Sequence, residues 1–155
     1  MREKHKQQMR TWAMLCHISA LLAWILLFSL VFLGIPLYLP LNVVPPLMIW
    51  RFKKSQYSWI DFQGKESLNF QISLTLYILL IIIVSLFLML VSFGLAVTTN
   101  GAVNAVNTVL NSLLMSWMWL IVILMLLQSF LVSFAAIKAY KGEHFRYPVT
   151  IRVLR

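Results

Sequence analysis

The sequence contains few charged residues and very few acidic ones. Of its 155 residues only 11% are charged, with four Asp and Glu against 13 Lys and Arg, while 61% are hydrophobic. A soluble domain carries about 25% charged residues. The composition therefore excludes an ordinary soluble domain and predicts an integral membrane protein.

Two long stretches contain no charged residue: Thr11–Trp50, of 40 residues, and Ser67–Ile137, of 71 residues. A membrane-spanning helix needs about 20 apolar residues, because it rises about 1.5 Å per residue across about 30 Å of hydrocarbon. Each stretch has room for two helices. We predict an all-α polytopic membrane protein, a four-transmembrane-helix bundle in one domain at residues 11–155. The four helices are predicted at 11–33, 37–52, 67–96 and 110–140. The remaining segments are a basic N-terminus at 1–10, a surface loop at 51–66 and a tail at 141–155.

The second predicted helix is rich in proline. Pro40, Pro45 and Pro46 each lack a backbone donor and disfavour a helical residue just before them. In hydrocarbon, backbone groups left unpaired by such breaks must be satisfied by neighbouring helices. We expect this helix to be short, kinked and packed inside the protein, and either to cross the membrane or to be re-entrant.

The basic residues form three blocks. The N-terminus, the middle loop and the C-terminal segment hold four, four and five Lys and Arg, and the other two connections hold none. Lys and Arg in short loops remain on the cytoplasmic side. We therefore expect both termini in the cytoplasm, anionic lipids at the basic face, and a bacterial inner membrane or cyanobacterial thylakoid. The positions of the cations explain the charge of +9 without nucleic acid.

His17 stands out in the first apolar stretch. An ionisable residue within a membrane is a candidate functional residue. The alternative is a neutral imidazole that hydrogen-bonds neighbouring helices, which we favour because no second His and no carboxylate lies at a matching depth. The single cysteine, Cys16, permits neither a disulfide within the chain nor a pair of thiolate ligands. We expect no metal and no cofactor.

Small and polar residues repeat along one face of three predicted helices. Asn69, Ser73 and Tyr77 recur at four-residue steps, with Gln71 and Thr75 beside them. Similar stripes are formed by Ala13, Cys16, Ala20 and Ala23 and by Gln128, Ser129, Ser133 and Ala136. Such residues let helices approach closely and hydrogen-bond to one another. We favour helix packing, and the alternative is a substrate path.

Neither apolar stretch contains a carboxylate, which argues against proton- or sodium-coupled transport and against hydrolysis within the membrane. The motifs of serine hydrolases, zinc proteases and P-loop proteins do not occur in the sequence. Ion pairing, or capping of the third predicted helix, accounts for Asp61 and Glu66. We predict that the protein is not an enzyme.

Four runs resemble a known family: LCHISALL at 15–22, PLMIW at 46–50, DFQGKESLNFQ at 61–71, and AAIKAYKGE with RYP within 135–148. They resemble small bacterial and cyanobacterial membrane proteins related to the twenty-kilodalton Tic subunit of the chloroplast inner-envelope translocon. The resemblance covers nearly the whole chain and implies four helices with both ends on one side. The signature and packing candidates are His17, Asp61, Gly64, Lys65, Glu66, Asn69, Gln71, Ser73, Tyr140, Gly142, Tyr147 and Pro148.

The plastid relatives belong to a preprotein-import complex, whereas most bacterial members have no assigned role. The resemblance therefore implies a non-enzymatic membrane subunit or scaffold that assists protein translocation or membrane-complex assembly. Its partners would be other membrane proteins or further copies of itself. The alternative function is a small-solute transporter or channel that uses the polar stripe near His17.

Overall fold

The computed structural model describes residues 2–33, 41–98 and 102–154, and this part of the chain contains helices and no strand. The helices are α1 (Arg2–Phe32), α2 (Val44–Lys53), α3 (Ser58–Thr98) and α4 (Ala102–Lys141). Residues 143–154, here called the tail, follow α4 without regular structure. The all-α prediction is confirmed.

Three helices are long and apolar enough to cross a membrane, over Glu3–Leu26, Ser58–Leu95 and Val106–Lys141. Helix α2 has 10 residues and rises about 15 Å, half the thickness of the hydrocarbon. The described residues thus contain three candidate spans and one short helix, rather than the four spans predicted.

Helix α2 differs from its prediction in burial and in the effect of its prolines. Pro45 and Pro46 occupy its first positions, where a missing N–H has no partner to lose, so they begin the helix and do not kink it. Pro46 is buried, but Met48 and Phe52 are 54% and 69% exposed. The helix therefore packs by one face only, and Pro40 lies outside the described residues.

Three helices begin earlier than predicted, at Arg2 rather than Thr11, at Ser58 rather than residue 67, and at Ala102 rather than residue 110. The predictions began where the apolar runs begin, but Lys, Arg, Glu and Gln are good helix formers and extend a helix beyond its membrane part. Half of the predicted surface loop, residues 58–66, is consequently the start of α3.

The carbonyl of Tyr57 accepts the first bonds of α3, from the backbone N–H groups of Ile60 and Asp61 at 3.1 and 3.2 Å. Asp61 lies in the first turn, where a negative charge stabilises the helix.

The chain divides into two compact units. The first, here called the core unit, is Met1–Thr75 with Ser129–Arg155, and it contains α1, α2, the tail and the adjoining ends of α3 and α4. The second, the apolar unit, is Leu76–Gln128. Among the described side chains of the apolar unit, only Ile78 and Gln128 are buried, and most of its large apolar side chains are exposed.

Several chain segments meet at one end of the core unit. The Nδ1 atom of His5 lies 2.8 Å from the hydroxyl of Tyr57, which joins the start of α1 to the residues after α2. Gln63, near the start of α3, donates its amide to the carbonyl of Glu143, just beyond α4, at 3.3 Å. The starts of α1 and α3 and the ends of α2 and α4 therefore share this end.

The small residues of α1 face the interior of the core unit. Ala13, Cys16 and Ala20 are fully buried and Ala23 is 4% exposed. In α4 the predicted stripe is wrong at Ser129 and Ser133, which are exposed. The buried face of α4 passes instead through Val132, Ala135, Ala136 and Ala139, at the three- and four-residue spacing of one helix face.

Candidate functional site

His17 is the centre of a buried polar cluster in the core unit. Its Nδ1 lies 2.9 Å from the hydroxyl of Tyr147, and its Nε2 lies 3.0 Å from Oε1 of Gln63. An amide oxygen only accepts, so Nε2 carries the hydrogen and Nδ1 accepts from the phenol. Both nitrogens of a neutral imidazole are thereby satisfied, as in the hydrogen-bonding interpretation of His17.

Tyr147 joins this cluster to the hydrophobic core. Its ring is stacked on Phe70 at a centroid distance of 4.1 Å with 9° between the planes. Phe145 meets it edge-on at 5.1 Å, and Val132 and Ala135 belong to the same core. Burial raises the pKa of the Tyr147 phenol above its ordinary value, with a smaller contribution from the charge of Glu66.

The tail is bound to α3 through its own backbone. The side-chain amide of Asn69 donates to the carbonyl of Leu154 at 2.9 Å, and its oxygen accepts from the Leu154 N–H at 2.8 Å. The hydroxyl of Ser73 accepts from the N–H of Ile151 at 2.8 Å and donates to the carbonyl of Asn69 at 2.7 Å. Asn69 and Ser73, one turn apart on α3, thus provide the backbone hydrogen bonds that a neighbouring strand would provide in a sheet.

Gln71 lies on a neighbouring face of α3 and holds the segment before α2. Its Oε1 accepts from the amide of Asn42 at 3.0 Å, and Asn42 also donates to the hydroxyl of Thr75 at 3.2 Å. Asn42 is 4% exposed and Gln71 fully buried. The Nε2 of Gln71 has no hydrogen-bond partner among the described atoms.

Asp61, Gly64 and Lys65 place α2 against the start of α3. The indole of Trp50 donates to Oδ1 of Asp61 at 2.9 Å, and Lys65 pairs with the same carboxylate at 2.7 Å. A Cβ on Gly64 would lie 2.4 Å from Cδ1 of Trp50. Glycine is therefore the residue that permits the indole to lie against the helix. Of the two explanations considered for Asp61, ion pairing is present.

Glu66 is 6% exposed, and its carboxylate lies 4.0 Å from Nε of Arg152 in the tail. It also faces Tyr147 closely enough for its charge to raise the pKa of the phenol.

Gly142 ends α4. With φ of +83° it adopts the left-handed conformation, and the N–H groups of Gly142 and Glu143 bond to the carbonyls of Ala139 and Lys138 at 3.1 and 2.9 Å. This is the Schellman pattern of a helix C-terminus. The guanidinium of Arg10 packs on the glycine, with Nη2 2.9 Å from the position of a Cβ.

Glu143 carries an ion pair with Lys138, and the hydrogen bond and charge of Lys138 lower the pKa of the Glu143 carboxyl.

Of the twelve predicted site residues, five meet in one place, five make the other contacts described above, and two are exposed. The cluster and the tail contacts bring together His17, Glu66, Asn69, Ser73 and Tyr147. Tyr140 and Pro148 are exposed and lie outside it. Sequence reasoning did not single out Gln63, Phe70, Asn42 or Trp50, although Gln63 and Phe70 lie in the 61–71 run and Trp50 lies in the 46–50 run. The signal for Gln63 was its position four residues before Ser67, which places two polar residues on one face of the helix.

The arrangement binds helices together and offers little for chemistry. No group of three His, Cys, Asp or Glu side chains in the described residues is placed to hold a metal ion. Both ring nitrogens of His17 are hydrogen-bonded, and Cys16 is fully buried. The cluster therefore has the properties of a structural centre.

A comparison with protein families matches residues 8–154 to MamF/MmsF, the magnetosome magnetite crystal formation protein family. The chain belongs to the MamF/MmsF family. No curated protein and no solved structure matches it. Membership of MamF/MmsF, together with the long apolar helices, makes it a bacterial multi-pass membrane protein involved in magnetosome magnetite formation.

The MamF/MmsF match corrects the resemblance to the Tic-related proteins, which was wrong. The runs that suggested it contain packing and helix-ending residues, such as Gly64 beneath Trp50 and Gly142 at the end of α4. Small residues let helices approach closely in membrane proteins generally, so they indicate a manner of packing and not a family. The expected role in protein translocation rested on this resemblance and has therefore lost its support.

Proposed function

We propose that the chain is a non-enzymatic membrane scaffold of the magnetosome, which contributes to magnetite formation by assembling with other membrane components. The observation that carries the proposal is the contrast between the two units. In the core unit most of the buried polar side chains hydrogen-bond to its own helices and tail, whereas in the apolar unit most of the large apolar side chains are exposed. An uncovered apolar helix surface is suited to lipid and to other membrane proteins.

The acidic residues support an organising role over direct coordination of iron. The sequence has four, and Asp61, Glu66 and Glu143 each lie within ion-pair distance of a cation. Iron would have to compete with these cations for the carboxylate oxygens. A solute path past His17, the alternative function, is not favoured by any observation, because the imidazole is hydrogen-bonded at both nitrogens.

We also propose that both termini lie on the cytoplasmic side, with the segment before α2 and α2 itself returning the chain to that side. The shared end of the core unit supports this arrangement. Asn42 bonds to Gln71 and Thr75 while Trp50 bonds to Asp61, so residues 42–50 run antiparallel to α3. From Asp61 to Thr75 α3 rises about 21 Å, a large part of the hydrocarbon thickness.

The scaffold proposal is tested by deleting the gene in a magnetite-forming bacterium and restoring it with tagged variants. Phe87→Ala with Trp119→Ala truncates two side chains that are 64% and 68% exposed in the apolar unit. We expect this variant to insert and fold, to recover fewer partners after cross-linking and mild-detergent purification, and to restore crystal size incompletely in electron micrographs. Leu22→Ala, at a side chain 63% exposed in the core unit, is the control and should behave as wild type.

Two results together would reject the scaffold proposal. The purified protein would be a monodisperse monomer without partners, and both variants would restore normal crystals.

A further inference from the structure

A groove runs along the first turns of α1. It is an open groove with a volume of about 680 Å³, within the range of small-molecule sites. Lys4 lines one part of the groove, and Thr11, Trp12 and Leu15 line another. From Lys4 to Leu15 the helix rises about 16 Å. The groove is therefore long enough to hold a polar group and part of a hydrocarbon chain together.

The chemistry of the lining changes along this length. Lys4, His5 and Gln8 precede the first uncharged stretch of the sequence, whereas Trp12 and Leu15 lie within it. The candidate membrane span of α1 begins at Glu3. The groove thus passes from the charged start of the helix into its apolar part, as a site at the boundary between water and hydrocarbon must.

A second cation, from a neighbouring helix, contacts Trp12, one of the residues that line the groove. Nζ of Lys53, in the last turn of α2, lies 4.8 Å from the ring centroid of Trp12. Among the described residues no carboxylate lines this groove, whereas the adjacent cavity beside Arg10 is lined by Glu3. Basic side chains beside tryptophan are typical of the headgroup zone of membranes, where they attract anionic lipid.

We propose that this groove binds one anionic phospholipid. The phosphate group lies between Lys4 and Lys53, with Gln8 as a further donor, and an acyl chain follows Trp12 and Leu15. The two cations supply the charge that distinguishes an anionic headgroup from a zwitterionic one. The apolar end distinguishes a lipid from a free phosphate ion. The site is independent of the scaffold proposal.

Native mass spectrometry of the full chain, released from nanodiscs of equal parts palmitoyl-oleoyl phosphatidylglycerol and phosphatidylcholine, tests the site. We expect one phosphatidylglycerol to remain bound in preference to phosphatidylcholine. Lys4→Gln with Lys53→Gln should lower its retention on the order of 10-fold, because each basic residue near an anionic surface contributes to lipid binding. Equal retention of the two lipids by the wild type would overturn the proposal.

The matched control is Lys6→Gln with Lys141→Gln, which removes two positive charges elsewhere in the core unit. It should retain the lipid as the wild type does, and an equal loss from both double variants would show diffuse surface attraction and overturn the site. Melting temperatures in pure phosphatidylcholine nanodiscs establish that both variants are folded. Inorganic phosphate in millimolar excess should not displace the lipid. If it does, the site belongs to free phosphate and the lipid proposal fails.

Discussion

His17 hydrogen-bonds two side chains that lie 46 and 130 residues further along the sequence. A buried imidazole that lacked either partner would carry an unsatisfied donor or acceptor, at a cost of about 1–3 kcal/mol. The side chain therefore favours one arrangement of α1, α3 and the tail over other packings of the same helices. Its contribution is to the specificity of the fold.

Tyr147→Phe removes the hydroxyl that donates to His17 and keeps the ring on Phe70. We expect a loss of about 1–3 kcal/mol of stability, because Nδ1 of the imidazole is then buried without a donor. Thermal unfolding in detergent measures the loss. Tyr140→Phe, at a tyrosine 44% exposed, is the control and should unfold like the wild type. Equal melting of all three proteins would contradict the role of the phenol.

Gly64→Ala and Gly94→Ala should have opposite effects, although both glycines lie in α3. The new methyl group at position 64 would meet Cδ1 of Trp50 at 2.4 Å, so we expect overpacking to cost about 1–3 kcal/mol. At position 94 an added Cβ would meet no described atom outside the helix backbone within 4 Å, and alanine should stabilise the helix by about 0.5–1 kcal/mol. Melting temperatures that shift in the same direction would refute the contact with Trp50.

Alkaline pH should lower the free energy of unfolding through the ionisation of Tyr147. Burial raises the pKa of this phenol, whereas in the unfolded chain it ionises near the ordinary tyrosine value of 10.0. The phenol is neutral in both states below about pH 10, so its contribution is complete there. Above about pH 10 the unfolded state gains charge first, and each further pH unit lowers stability by about 1.4 kcal/mol until the folded pKa is reached.

The difference in melting temperature between wild type and Tyr147→Phe isolates this effect from the other titrating groups. We expect the difference to narrow between about pH 9 and about pH 11, roughly one unit either side of the pKa of an exposed phenol. A constant difference across this range would show that the phenol ionises normally.

The tail and α3 form one structural element of unusual construction. The tail has no regular structure, and side chains of α3 hydrogen-bond to its backbone. At Leu154 both the carbonyl and the N–H are bonded, and at Ile151 the N–H is bonded. In a membrane protein such polar groups need partners, and Asn69 and Ser73 provide them. These two residues therefore hold the tail, which then presents Tyr147 to His17.

Asn69→Ala should release the end of the tail. Both bonds to Leu154 are lost, and we expect faster hydrogen exchange of the amides of residues 151–154, with little change at Tyr147, which α1 and Phe70 still hold. Mass spectrometry after peptic digestion resolves the two regions. Asn111→Ala, at an exposed asparagine of α4, is the control. Unchanged exchange in 151–154 would argue that other contacts hold the tail.

Sequence alone predicted the helical class and the approximate position of the long helices, because apolar length and absent charge are local properties. The polar face at Asn69 and Ser73 was also visible, from its four-residue repeat. The partners of that face were not, because the tail approaches it from 78 and 85 positions further along the chain. In α4 part of the prediction was wrong. Ser129 and Ser133 were expected on the buried face, but they are exposed, and alanines nearby in the helix form that face instead.

Considered whole, the protein combines a self-contained core unit with an apolar unit whose helix surfaces are left open. Membership of the magnetosome magnetite crystal formation family places this combination in a bacterial membrane protein. The basic residues belong to the core unit, since Leu76–Gln128 contains no Lys or Arg. Charge and apolar surface are thus segregated between the units.

This segregation predicts the result of labelling with a membrane-impermeant maleimide. In a Cys16→Ala background, Ser55→Cys, between α2 and α3, should react only from the cytoplasmic face, because it adjoins the basic middle segment. Asn104→Cys, near the start of α4, should react only from the opposite face, because α3 is long enough to cross the membrane. Labelling of both positions from one face would contradict the proposed topology.

The bond between His17 and Tyr147 also sets an order of events during synthesis. The ribosome adds Tyr147 130 residues after His17, when α1 and α3 have already been synthesised. Until Tyr147 is added, Nδ1 of the imidazole lacks the phenol as its partner. Once α3 is in place, Gln63 is the member of the cluster that bonds to His17. Completion of the core is therefore a late step of biogenesis, and a nascent chain stalled before residue 147 would present the insertion machinery with an open, polar α1 and α3.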